Sequence, residues 1–358
     1  MSKKDERQLL PDIIKGVAII FVVLAHCIQE GSGKLYRDNS LYFDDRLYQF
    51  VCSFSMPLFM IVSGYLNWSS IQKAVGKKER RGLLKRRAIS LLVPIFAWTA
   101  IDYIRILIIN QINRAPQPEA FIFVYFHNAL INLWFLWAVW WCFLVVYIMH
   151  YFLKDRIILY GIGFLVMFVI PDGLGLGNYK YMLPYFVGAY YIHGFWEHKK
   201  QETKVAVQFW MVIATGAIFA LMFAFFDKEF LIHISGYKLI GKNIARQLWI
   251  DFYRESIGLV GSIFFIVMWQ YILDCTKRIS PNKAFTPSFH WLAKIGSYSM
   301  GIYIVSGYLL IFGVQRVPFI DKQSYIVNGV ETVIVVIGSI LIVMLLEKIP
   351  IMKKLVGK

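Results

Sequence analysis

Acidic residues and cysteines are scarce in this sequence. Asp and Glu together number 22 against 38 Lys and Arg, so the 358-residue chain carries a formal net charge of +16. The four cysteines show no CxxC pair and no metal-ligand spacing, which argues against a zinc motif or a dithiol redox centre. We expect Cys27, Cys52, Cys142 and Cys275 to be reduced packing residues, with a Cys27–Cys52 disulfide as the alternative.

Polar and low-complexity stretches are also lacking. No segment has the composition of a soluble domain or a linker, and no internal repeat is visible. We therefore expect residues 1–358 to form one membrane-embedded domain with no appended soluble domain.

Apolar residues are abundant instead: 58% of the chain is hydrophobic, and the mean hydropathy is +0.56. A soluble domain of this size needs more polar surface than that. Apolar stretches near the length of a membrane-spanning helix recur along the chain, which predicts an all-α, polytopic membrane helix bundle of about ten transmembrane helices. The predicted spans are 12–30, 47–67, 88–111, 129–152, 157–171, 180–196, 205–226, 256–273, 296–315 and 328–347.

The positive charge is unevenly distributed between these spans. With the N-terminus in the cytoplasm, 25 of the 38 Lys and Arg fall in cytoplasmic segments, most densely in 73–87. This bias predicts that both termini are cytoplasmic. It also accounts for the net positive charge, so nucleic-acid binding is not needed to explain it. We expect an uncleaved signal-anchor at the N-terminus, membrane lipids as partners, and a multi-pass protein of a cell membrane, that of a bacterium.

The first span, DIIKGVAIIFVVLAHCIQ, carries polar residues on one side. In an α-helix, Lys15 and His26 lie roughly 20° apart around the axis and about 16 Å apart along it, and Asp12 lies about 40° from His26. Ionisable groups inside a membrane helix indicate a functional site by default. His26 is either a packing residue or a general base or acyl-accepting group, because neutral imidazole takes a hydroxyl proton near neutral pH.

A basic segment precedes the third span. Lys85, Arg86 and Arg87 follow a run of other cations and lie at the predicted cytoplasmic mouth. Topological anchoring and attraction to anionic lipid account for most of this charge. The sharper interpretation is that these three side chains bind the phosphates of a donor such as a coenzyme A thioester.

Two further spans carry candidate residues. In the second span Pro57 predicts a kink, and Gly64, between Ser63 and Tyr65, predicts close approach of another helix. The alternative is a kinked packing helix without chemistry. Glu331 lies near the outer end of the last span, where it either pairs with a lining group or sits at the membrane interface.

Together these motifs resemble the acyltransferase-3 family of integral membrane O-acyltransferases. The similar segments occur in order along the chain: Lys15 and His26 separated by ten residues, FSMPLFMIVSGYL, Lys85-Arg86-Arg87 leading to Pro94, LWFL, LPYFVG and GSYSMGIY. One departure is Ser306, which stands where many members have a histidine.

The resemblance implies transfer of an acyl group, usually acetyl, from cytoplasmic acyl-CoA to a hydroxyl of a polysaccharide or glycolipid, with acyl-CoA as the donor and no metal. His26 is then the catalytic candidate, either as a base or as an acyl carrier. The remaining candidates are Lys15, Lys85, Arg86 and Arg87 for the donor, with Asp12, Ser63, Tyr65, Trp134 and Glu331 as other site residues. A secondary transporter of a sugar, anion or lipid-linked intermediate is the alternative function, and a non-enzymatic scaffold is a third.

Overall fold

The computed structural model of the protein consists of helices joined by short turns. It describes residues 3–31, 41–114, 116, 121–199, 204–239, 243–279, 287–312 and 324–358. Within these residues there are thirteen α-helices and no strand, so the predicted all-α bundle is confirmed. The helices are α1 Lys3–His26, α2 Arg46–Gln72, α3 Lys77–Ile112, α4 Phe121–Ile131, α5 Trp134–Leu153, α6 Ile157–Val169, α7 Leu176–Lys199, α8 Val205–Ala224, α9 Ile232–Ser235, α10 Ile244–Ile279, α11 Pro287–Ser297, α12 Ser299–Phe312 and α13 Tyr325–Glu347.

Seven described helices are long and apolar enough to cross a membrane. They are α1, α2, α3, α5, α8, α10 and α13. The other three predicted spans fall on α6 and α12, which have 13 and 14 residues, and on α7, which is long but less apolar. The total of ten spans and the cytoplasmic position of both termini stay predictions.

Three predicted boundaries are wrong. The basic segment does not precede the third helix but belongs to it, because α3 is continuous from Lys77, and Pro94, six residues into the predicted span 88–111, lies in the middle of α3. The span predicted at 129–152 is broken at Leu133, whose φ of 50° interrupts the helix although leucine is not a turn residue. Helix α10 already begins at Ile244, twelve residues before the predicted start at 256, and the ion pair between Arg254 and Asp251 lies in this added part.

Two helix pairs, α2 with α7 and α1 with α11, pack closely at glycines, as small residues allow in membranes. A Cβ at Gly64 would lie 2.1 Å from the carbonyl oxygen of Phe186 on α7, which confirms the predicted close approach. A Cβ at Gly296 on α11 would lie 1.8 Å from the carbonyl oxygen of Asp12. The polar start of α1 is therefore held directly against α11.

An aromatic cluster joins α1 to α2 and α10. The ring of Phe54 lies 5.3 Å from that of Phe21 and stacks on that of Phe265 at 4.3 Å. The first part of α13 bonds both Asp45, just before α2, and Cys27, just after α1, so the start of α2 lies beside the end of α1 and the two helices run antiparallel. The end of the bundle that holds His26 is called the histidine end below, and the opposite end is called the basic end.

The periphery differs sharply from this core. Helix α6 has no buried residue, and α8 buries only Gln208 and Phe219, as expected for helices that face lipid.

All four cysteines are free, so the predicted reduced state is confirmed and the Cys27–Cys52 disulfide is not formed.

Candidate functional site

His26 is the last residue of α1 and is followed directly by a π-helical turn, Cys27–Gly31. Such turns are rare and occur frequently at functional sites. The residue is half-buried, but its Nδ1 atom is fully buried and has no hydrogen-bond partner among the described residues. A packing histidine normally satisfies its ring nitrogens, so this ring is unusually free to interact.

Glu331 lies on α13 beside the end of α1. Its side chain is only 3% exposed, and neither carboxyl oxygen has a hydrogen-bond partner in the described part of the chain. The Cys27 thiol, next to His26 in sequence, hydrogen-bonds Thr332 and lies within electrostatic range of Glu331. Cys27 and Thr332, the sequence neighbours of His26 and Glu331, are thus in contact. The His26 imidazole and the Glu331 carboxylate, both with unsatisfied atoms, therefore lie in the same region of the histidine end.

The polar entrance of α1 is an ion pair. The Lys15 ammonium lies 2.6 Å from the Asp12 carboxylate, one turn earlier on the same helix. Both side chains remain partly exposed, at 24% and 31%. Lys15 is therefore accessible, and an incoming anion has to compete with Asp12 for it.

The predicted donor-binding cations line one side of the basic end. Lys85 and Arg86 are exposed on α3, whereas Arg87 is half-buried with its guanidinium 5.9 Å from the ring centre of Phe143. The Arg80 guanidinium covers another ring of α5 at 4.4 Å and leaves its buried Nε without a partner among the described residues. This end combines exposed cations with cations held on aromatic faces.

Ser63 and Tyr65 lie far from His26 along the bundle. Ser63 is nine residues beyond Phe54 on α2, and His26 is five residues beyond Phe21 on α1, so the two are separated by about 20 Å along the axis. The Ser63 carbonyl accepts a hydrogen bond from Asn67, and the Tyr65 ring stacks on a histidine of α7 at 3.9 Å. Tyr65 thus serves the contact between α2 and α7, whereas the bond at Ser63 stays within α2.

Trp134 begins α5 after the break at Leu133. Its ring lies 6.4 Å from that of His233 on the short helix α9. The next residue, Phe135, donates its backbone N–H to the Tyr303 hydroxyl at 3.3 Å and packs against Phe59. Trp134 thus lies between the interior of the bundle and the segment between α8 and α10.

That segment, residues 225–239 and 243, closes the histidine end and is called the cap below. Arg46 at the start of α2 donates to the carbonyl oxygens of Phe226 and Phe223 at 2.6 and 2.9 Å. A buried ammonium, Lys180 on α7, is 3% exposed and bonds both the Asp172 carboxylate and the Tyr237 carbonyl. The cap is therefore tied to two helices of the core.

A buried polar cluster lies beneath the cap, and sequence reasoning missed it. Arg254 is 2% exposed and donates from Nη2 to Asp251 and to Ser235 of the cap, both at 2.8 Å. Its Nε and Nη1 atoms are buried without a partner among the described residues. The Tyr237 hydroxyl donates to Glu255 at 3.0 Å, and burial together with this carboxylate raises the tyrosine pKa. The only sequence signal was the group of charges at the start of α10.

Metal ligation is not indicated by the arrangement of the described side chains. In that part of the chain no three His, Cys, Asp or Glu residues come together as a metal site would require. The candidate chemistry is thus that of an imidazole, a carboxylate and two clusters of cations.

Comparisons with known proteins agree with the resemblance seen in the motifs. The family model described as an acyltransferase domain, that of the acyltransferase-3 family, matches residues 10–348. No solved structure matches the chain significantly.

Two curated relatives, each called "Nodulation protein NolL", are similar over part of the chain. The protein of Sinorhizobium fredii is 30% identical over 140 residues, which is 38% of this chain and 34% of the relative. The protein of Mesorhizobium japonicum is 24% identical over 184 residues, or 51% of this chain and 47% of the relative. The chain spans between a third and a half of the length of the relatives it matches.

Proposed function

Because the chain belongs to the acyltransferase-3 family, we propose that it moves an acetyl or similar short acyl group from cytoplasmic acyl-CoA to a hydroxyl of a cell-surface polysaccharide or lipid-linked glycan. The family match and the seven long apolar helices make it a multi-pass membrane acyltransferase. We propose, in addition, the identity of the donor and of the acceptor and a location in a bacterial plasma membrane. The observation that carries it is the pair of buried, unsatisfied groups on His26 and Glu331 at one end, with exposed cations at the other.

The basic end would bind the donor. The exposed Lys85 and Arg86 supply positive charge for the phosphates of coenzyme A, and guanidinium groups bind phosphate oxygens in a bidentate manner. Lys15 lies about 16 Å from His26 along the same helix, so it marks a path between the two ends. The flexible pantetheine arm of the donor would follow that path and bring its thioester towards His26.

The chemical step needs a proton acceptor for the sugar hydroxyl. His26 takes this proton as the hydroxyl oxygen attacks the thioester carbonyl, and a tetrahedral intermediate forms. The C–S bond then breaks, and the imidazolium returns the proton to the leaving thiolate. An ester and free coenzyme A result, so the step balances without a redox partner.

Glu331 would act through His26. A carboxylate that bonds one ring nitrogen fixes the tautomer and stabilises the imidazolium that forms during transfer. Its burial without a described partner supports this role, since an unpaired acid in an apolar bundle is costly to keep.

The experiment is a comparison of surface glycans from strains with and without the gene. Proton NMR before and after mild alkali shows whether an ester is present and which sugar carries it. We expect ester signals only in the strain that carries the gene, and their loss in a His26→Ala strain with normal protein levels. Retained esters in that strain would contradict the mechanism.

A purified sample tests the alternative of a secondary transporter. Labelled acetyl-CoA added in detergent should bind and be consumed when acceptor glycan is present. A secondary transporter would do neither, so unchanged acetyl-CoA in the presence of folded protein and acceptor would favour transport.

A further inference from the structure

The outer surface of the cap contains a cavity of about 320 Å³. Two structural units form it: the cap, and the first two turns of α10. Its described lining consists of Glu229, Ile234, Ser235, Asn243, Arg246, Gln247 and Ile250. The volume lies in the range of small-ligand pockets.

The charges of this cavity cancel. Arg246 lies 2.6 Å from the Glu229 carboxylate, and its backbone N–H bonds the Asn243 side chain at 3.2 Å. The other polar lining groups are amides and a hydroxyl, all uncharged. A charged ligand would gain little here, whereas a ligand with many hydroxyls finds both donors and acceptors.

The cavity also has an apolar part to its lining. Ile234 and Ile250 present aliphatic surface beside the polar groups. A sugar ring has the same division, with hydroxyls around its edge and C–H groups on its faces. The combination therefore fits an uncharged sugar ring better than a nucleotide or a lipid chain.

The floor of the cavity is rigid. Gln247 donates to Asp251 at 2.9 Å, and Ser235 accepts from the buried Arg254 at 2.8 Å. Behind this floor, Arg254 keeps two nitrogen atoms without partners among the described residues, so the layer retains hydrogen-bonding capacity. A binding site held on a network of this kind loses little entropy on binding.

We propose that this cavity is a subsite for an uncharged sugar of the acceptor glycan, separate from the place of acyl transfer at His26. The inference rests on the proposed function. A polymer acceptor presents several sugars at once, and a sugar held in the cap anchors the chain while another residue reacts. Such an anchor changes the acceptor KM and leaves the chemical step unchanged.

The test uses purified full-length protein in detergent, acetyl-CoA, and oligosaccharides released from the surface polysaccharide of a strain that lacks the gene. These acceptors carry no ester from this protein and can be separated by length. We expect Arg246→Ala to raise the KM for long oligosaccharides about tenfold, the effect of losing a charge-assisted hydrogen bond. The acetyl-CoA KM, kcat and the KM for a monosaccharide acceptor should stay unchanged.

Two further variants make the result interpretable. Glu229→Gln keeps the shape of the cavity wall and should raise the same KM, which guards against misfolding of Arg246→Ala. Lys228→Ala is the matched control, because it removes one positive charge from the cap at a side chain that pairs with Asp44 and does not line the cavity. It should leave the acceptor KM unchanged.

The outcomes separate the two proposals. An acceptor KM that is unaltered in both cavity variants would overturn the subsite while the enzyme remains active. An equal rise for the monosaccharide and for long acceptors would also overturn it, since the cavity would then belong to the place of transfer. A wild-type protein that transfers nothing from acetyl-CoA to any of these glycans would instead refute the proposed function.

Discussion

Removal of the Glu331 carboxylate should make the protein more stable and less active at once. The group is 3% exposed, and both oxygens are buried without a partner in the described structure. A buried polar group left unsatisfied costs about 1–3 kcal/mol, and a charged one costs more. In Glu331→Met the methionine side chain has a shape similar to glutamate but no polar group to satisfy. The free energy of unfolding should therefore rise by about 1–3 kcal/mol, and the apparent unfolding temperature should rise by a few degrees.

The activity of the same variant should fall. If Glu331 orients His26 and stabilises its protonated form, its loss removes much of the general-base contribution, which is about 10²- to 10⁴-fold in rate. The assays are thermal unfolding in detergent and the initial rate of acetyl transfer to an ester-free glycan. A gain in stability together with a loss of kcat is typical of a residue kept for function.

The matched control lies on the same helix. Ser339 is fully buried, and its hydroxyl also has no described partner, but it is two turns farther along α13. Ser339→Ala should leave kcat unchanged and stability equal or slightly higher. The reasoning is refuted if Glu331→Met lowers the unfolding temperature, which would mean that the carboxylate has partners, or if it leaves kcat intact.

Three other predictions concern the donor, the cap and the packing. Arg86→Ala should raise the KM for acetyl-CoA about tenfold, and added salt should shrink the difference, whereas Lys77→Ala at the start of α3 should have little effect. Lys180→Met should destabilise the cap by about 1–3 kcal/mol, since it removes the charge-assisted hydrogen bond to the partly buried Asp172 carboxylate, and proteolysis of the cap should report this. Gly64→Ala should prevent normal folding, as judged by gel filtration, because its Cβ has no room, whereas Gly188→Ala has no atom within 4 Å of its Cβ and should be tolerated.

Local sequence patterns were sufficient for the fold class and the packing of α2. Long apolar runs define helices in a membrane, because each backbone polar group must bond within its own segment. Gly64 predicted a close helix contact, and the contact with Phe186 confirmed it. Helical periodicity placed Asp12 and Lys15 on one side of α1, and their ion pair has the same geometry.

Boundaries and long-range partners were less predictable. Helix α3 includes a basic segment that was expected to precede it, because Lys and Arg favour helices as well as cytoplasmic segments. The break at Leu133 has no local signal, since a leucine seldom adopts the positive φ found there. The cluster of Lys180, Arg254 and Tyr237 joins residues distant in sequence, and only Arg254 stood in a group of charges.

The central claim is that His26 acts in acyl transfer at the histidine end, and that the donor reaches it from the cations of the basic end. The most direct measurement is the amount of coenzyme A released in a single turnover, with purified protein, labelled acetyl-CoA and ester-free acceptor glycan. The wild type should release one equivalent and transfer the label to the glycan, whereas folded His26→Ala should bind acetyl-CoA with unchanged affinity and release almost none. Release and transfer at the wild-type rate by His26→Ala would contradict the account.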